Sequence, residues 1–135
     1  LKYKLISGAG RQQQVEAARA TVEQADAGLR EARTQLDIGV TKAWNDVEAA
    51  RKRVLLLDSA LVSADENVRL QTLSYREQQA TSLDVVDAQL GRGRARIQRA
   101  QAANDYVQAL ARLLSMSGQV DRMPEYLSRA DKVIP

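Results

Sequence analysis

The sequence predicts a mainly α fold, a long antiparallel coiled-coil helical hairpin preceded by a short β-strand. Leu1, Tyr3 and Leu5 alternate with Lys2 and Lys4, the period of two that marks a strand. From about Arg11 the period changes: apolar residues recur at spacings of three and four as far as residue 76, with no proline in between. A polar stretch at residues 77–80 and a helix-start signal then lead into a second apolar series.

The strand signal ends at Ser7-Gly8-Ala9-Gly10, where two glycines free the backbone for a change of direction. The first helix carries Val15, Ala18, Val22, Ala25, Leu29, Ala32 and Leu36, then Val40, Ala43, Val47, Ala50, Val54, Leu57, Leu61, Ala64 and Val68. Two successive steps of four around Gly39 form a stutter, which locally unwinds a left-handed supercoil; a single tolerated glycine explains the site equally well. Asp26/Arg30 and Glu48/Lys52 have the acid-before-base spacing of four that supports a helix.

In the turn, Thr81-Ser82-Leu83-Asp84 resembles a capping box with Asp in place of Glu. The expected second seam runs Leu83, Val86, Leu90, Gly93, Ile97, Ala100, Asn104, Val107, Ala111 and Leu114. Gly93 allows close backbone approach, and Asn104 is the one polar intruder, suited to fixing register. Gly118 is a helix stop signal. Residues 119–135 contain Pro124 and a short helix expected around residues 125–131. The predicted organisation is thus residues 1–10 as strand and passage, 11–118 as a hairpin turning near 77–81, and 119–135 as a tail.

Composition narrows the function. There is no His and no Cys, so the usual general base near neutral pH and the usual thiolate are missing, and no phosphate loop or nucleophile elbow is present. An enzyme is disfavoured, and no cofactor or metal is expected. The net charge of +3 comes from 20 basic and 17 acidic residues spread along the chain, which disfavours nucleic-acid binding. The longest apolar run, residues 54–57, falls far short of the ~20 residues of a spanning helix. The chain begins at Leu1 without a visible signal peptide and reads as a segment of something larger.

Length arithmetic points the same way. At about 1.5 Å per residue, the first helix is roughly 100 Å long and the second roughly 54 Å. The return arm therefore leaves the stripe over residues 15–36 uncovered, and a lone strand leaves its amides and carbonyls without partners.

Tyr75-Arg76-Glu77-Gln78-Gln79-Ala80-Thr81-Ser82-Leu83-Asp84-Val85-Val86-Asp87-Ala88-Gln89 resembles the inner-helix turn of TolC-type outer-membrane efflux proteins. The stretch from Ala102-Ala103-Asn104-Asp105-Tyr106 to Gly118 resembles that family's closing motif, and residues 3–10 resemble its strand-to-helix passage. The resemblance implies the second structural repeat of a trimeric α/β-barrel channel-tunnel in the outer membrane and periplasm of a Gram-negative bacterium. It implies a homotrimer, with outer-membrane lipid around the strand and a periplasmic adaptor and an inner-membrane transporter as partners. Cargo would pass passively in a tripartite efflux or type I secretion system.

The resemblance also assigns residues. Asp84 and Asp87 would ring the periplasmic entrance, and Tyr75 would tie neighbouring helices in the closed state. Glu77, Gln78, Gln79 and Ala80 would form the adaptor-docking tip. On spacing alone, Asp84 is a helix-start residue, Asp87 its solvated neighbour and Tyr75 a plain seam residue. Departures from the family's pattern are Gln78 where it has Gly, Ala80 where its best-known member has a basic residue, and Lys4 with no proline before the glycines. Arg92, Arg94, Arg96 and Arg99 read either as a solvated helix face or as the lining of a passage for anionic cargo. The rival readings are a periplasmic adaptor-type or generic structural coiled coil mediating protein–protein interaction, and a metal-binding helical domain built on Asp84 and Asp87.

Overall fold

The computed structural model describes the backbone of residues 2–133 and the side chains of residues 8–119 and 121–129. Helix α1 spans Lys2–Arg76 and helix α2 spans Ser82–Met116. A single 3₁₀ turn, Val120–Arg122, leads into helix α3, Met123–Val133, where the sequence predicts a short helix. The chain divides into two compact units, Leu1–Gly39 and Val40–Pro135, at the position of the predicted stutter.

The predicted strand is not formed. Backbone residues from Lys2 onward are already helical, while Leu1 lies outside the described residues. The cause is backbone hydrogen bonding: a lone strand satisfies none of its own N–H and C=O groups, whereas a helix satisfies most of them internally. The alternation of Leu1, Tyr3 and Leu5 specifies one apolar face but not the sheet partners a strand requires.

In the unit Leu1–Gly39, every described residue from 8 to 38 is exposed. Val15, Val22, Leu29 and Leu36 each remain half exposed or more. A single helix offers no second surface on which to bury its stripe, so this unit has no core of its own.

The unit Val40–Pro135 is the hairpin. On α1, Val40, Ala43, Val47, Ala50, Val54, Leu57, Leu61, Ala64 and Val68 are all buried or half-buried, as the period of three and four predicts. Val54 is completely buried, and Ala43 and Val47 form a core with Leu113, flanked by Val40, Tyr106 and Ala109.

On α2 the predicted seam is corrected in part. Leu83, Leu90 and Ile97 are 65%, 54% and 61% exposed. Of the predicted series, Gly93, Ala111 and Leu114 are half-buried or buried, but the continuous inward series is Val85, Ala88, Arg92, Ala95, Arg99, Ala102, Tyr106, Ala109 and Leu113, again at spacings of three and four. Both series have the coiled-coil period; they are displaced by two residues, about 160° around the helix. Periodicity alone does not rank them. Ala88, Ala95, Ala102 and Ala109 form the face toward α1 because a small side chain lets two helix backbones approach closely. The larger Leu83, Val86, Leu90 and Ile97 lie on the opposite side.

Charges set the register. Arg99 Nε donates to Asp58 Oδ1 at 2.8 Å, with the two side chains 33% and 26% exposed. One heptad nearer the turn on both arms, Arg92 Nε lies 3.9 Å from Asp65 Oδ1. Residue 58 facing 99 and residue 65 facing 92 places the midpoint between residues 78 and 79, in the observed turn. Glu48 pairs with Arg51 at 3.2 Å rather than with Lys52.

A double-mutant cycle on Asp58 and Arg99 should give a coupling of about 1–2 kcal/mol, because the hydrogen bond is charge-assisted and partly shielded from water. The same cycle on Arg53 and Asp105, 3.9 Å apart with both side chains more than half exposed, should give less than about 0.5 kcal/mol. Urea melts of the four variants in each cycle measure both, and equal couplings would remove the assigned register lock.

Candidate functional site

The turn is built from two backbone caps laid end to end. At the end of α1, Gln79 N–H donates to the Ser74 carbonyl at 2.8 Å and Gln78 N–H to the Tyr75 carbonyl at 3.1 Å. These are the two bonds of a Schellman motif, and they place Gln78 at the left-handed position, with φ of 61°. Glycine is the usual occupant of that position because it has no Cβ to clash. Gly118 fills the equivalent place after α2, with φ of 70° and the matching bond from Gln119 N–H to the Leu114 carbonyl at 2.8 Å.

The second cap opens α2. Asp84 N–H donates to Thr81 Oγ1 at 3.3 Å, while Thr81 N–H and the Thr81 hydroxyl both donate to Asp84 Oδ2 at 2.7 Å. The capping box read from the sequence is therefore present, with Asp serving where Glu is usual. The hydroxyl bond, followed by the backbone bond, holds the Asp84 carboxyl below the usual aspartate range. Asp84 is exposed and ionised, and one of its oxygens is engaged in holding the turn.

The remaining candidates share this end of the hairpin. Asp87 lies one turn further along α2 and is exposed. Tyr75, half exposed, occupies the last turn of α1, and its carbonyl receives Gln78. Glu77, Gln78 and Gln79 are exposed and Ala80 is half-buried. The sequence thus brings all seven candidates to one end of the hairpin, within two helix turns of the bend.

The four arginines separate. Arg92 and Arg99 are turned into the seam, bound to Asp65 and Asp58, so they form neither a solvated face nor a lining. Arg94 and Arg96 are exposed. Sequence reasoning missed the seam pairs because it assigned Arg92 and Arg99 to the surface. The readable signal was the shared heptad spacing, Asp58 to Asp65 on one arm and Arg92 to Arg99 on the other. Among the described residues, no group of three or more His, Cys, Asp or Glu side chains is placed to hold a metal ion. At the open end of the hairpin a cavity of about 390 Å³ lies among Trp44, Tyr106, Leu110, Tyr126 and their neighbours. It contains no candidate from the turn.

A family described as outer membrane efflux protein matches residues 1–119. The chain belongs to that family. The match covers both arms of the hairpin and ends just after Gly118, where α2 is capped. Membership decides against the adaptor-type and generic coiled-coil readings. Members of the efflux family are channel proteins of the Gram-negative outer membrane, not enzymes. No curated protein and no solved structure matches the chain. No described helix of this efflux-family chain is long and apolar enough to cross a membrane.

Replacing Thr81 by Ala in the efflux-family hairpin should cost about 1 kcal/mol of stability. It should also raise the Asp84 pKa part of the way back toward the ordinary aspartate range, because the hydroxyl bond is lost while the Thr81 N–H bond remains. Because the Asp84 pKa is depressed on folding, its contribution is present above the ordinary aspartate value and is lost as pH falls through the folded value. Carboxyl titration by NMR, with melts across that acid range, checks both. An Asp84 that titrates normally in the unmutated protein would contradict the cap.

Proposed function

We propose that the chain is the second helical repeat of a trimeric channel-tunnel that passively conducts cargo delivered by an inner-membrane transporter through a periplasmic adaptor. The observation that carries this reading is the double-sided apolar character of α2. One face packs on α1, while the opposite face, with Leu83, Val86, Leu90 and Ile97, is exposed. A helix that forms part of a closed wall needs a neighbour on each side, and this pattern meets that need. The uncovered stripe over residues 15–36 makes the same demand along the first part of α1. The first few residues would join the outer-membrane barrel once neighbouring strands supply hydrogen-bond partners.

In this reading the turn is the periplasmic entrance. Three subunits would bring three copies of Asp84 and Asp87 around one axis, six carboxylates in all. A ring of carboxylates attracts cations, repels anions and is blocked by multivalent cations. The two residues differ in local duty: Asp84 also holds the α2 cap, whereas Asp87 has no described hydrogen bond. Tyr75 would contribute contacts between neighbouring helices, and residues 77–80 would meet the adaptor.

Asp87→Ala in the complete trimer should raise single-channel conductance and weaken block by a trivalent cation at least several-fold, with the melting temperature unchanged. Asp84→Ala should alter conductance in the same direction and also lower the melting temperature. Planar-bilayer recording of both variants makes the test, and conductance and block identical to wild type in both would remove the entrance assignment.

A further inference from the structure

Gln78 holds a backbone conformation that a side chain makes unfavourable. Its φ of 61° lies in the left-handed region, and among the described residues it is the one non-glycine residue there. The Schellman bonds around it run between main-chain atoms, so glycine would make them equally well. Asparagine would tolerate the position better than glutamine does. Among the described residues nothing accounts for the longer side chain: Gln78 is exposed, and no described hydrogen bond involves its carboxamide. Local strain that the fold itself does not use is a mark of a functional position.

We propose that Gln78 is a specificity-determining contact of the hairpin tip, its carboxamide hydrogen-bonding a main-chain peptide group on the docking partner. The inference rests on the reading of residues 77–80 as the docking tip. A carboxamide carries a donor and an acceptor side by side, the complement of a peptide N–H and C=O. The tip around it is polar: Glu77, Gln78 and Gln79 are exposed, and no large apolar side chain stands among residues 76–80. Such a surface recognises a partner through directional hydrogen bonds rather than by apolar burial, so one side chain at the apex can set which partner binds. The αL backbone, held by the bonds of Gln78 N–H and Gln79 N–H, fixes where that exposed side chain leaves the bend.

The test uses the complete channel in detergent, with the adaptor that co-purifies with it as the probe. Four forms are compared: wild type, Gln78→Gly, Gln78→Asn, and one with residues 77–80 replaced by Gly-Ser-Gly-Ser. Gln78→Gly should melt about 2–4 °C higher, because the strain is relieved, yet bind the adaptor roughly three- to tenfold more weakly, the worth of one or two hydrogen bonds. Gln78→Asn should keep the fold and bind between the two. Undiminished binding by Gln78→Gly, while the four-residue replacement abolishes it, would overturn the role of Gln78 and leave the docking tip standing. Undiminished binding by the replacement itself would overturn the docking tip, and the Gln78 contact with it. A Gln78→Gly form that melts lower than wild type would contradict the strain from which the inference starts.

Discussion

An α-helix that is apolar on two opposite faces cannot be satisfied by one neighbour, and α2 is such a helix. Its alanine-rich face, from Val85 to Leu113, closes on α1. Its other face, led by Leu83, Leu90 and Ile97, is left uncovered by the described residues. Burying a large aliphatic side chain is worth about 1.5–3 kcal/mol, so a row of four left in water is a substantial unmet demand. The exposed stripe of Val15, Val22, Leu29 and Leu36 adds to it. The proposed wall of repeated, laterally packed helices would supply the missing cover.

Within the hairpin, small residues and charges divide the work. Alanines on α2 allow close approach but bury little area each, so they define a seam without holding a register firmly. Asp58–Arg99 and Asp65–Arg92, one heptad apart, supply the register by opposing charge at fixed positions. The two caps then fix where the chain reverses. Slipping the arms by one residue would separate both ion pairs and displace the turn from its Schellman and capping-box bonds together.

Much of this was legible in the residues. The spacing of Val40 to Val68 gave the α1 face correctly, and Thr81 with Asp84 and Gly118 marked the helix ends where they are found. The face of α2 was legible only toward its end, at Ala111 and Leu114; nearer the turn, Leu83–Ile97 and Ala88–Ala109 have the same period and only a partner decides which of two equal stripes is inside. The alternation at Leu1 to Leu5 was also insufficient, since strand formation depends on neighbours that a local pattern does not contain. At the turn, sequence reasoning brought the seven candidates to one place. It could not show that Gln78 stands in a left-handed conformation, because that depends on the path of the bend.

The uncovered faces make the most direct demand on experiment. This chain contains no cysteine, so Leu29→Cys, Ile97→Cys and, as an exposed control, Lys52→Cys each introduce a single thiol into it. Maleimide labelling rates in the assembled, complete protein are then compared with those in a urea-unfolded sample. The account predicts that Leu29→Cys and Ile97→Cys react at least tenfold more slowly when assembled, while Lys52→Cys changes little. Labelling of Leu29→Cys and Ile97→Cys in the assembly as fast as when unfolded would contradict it.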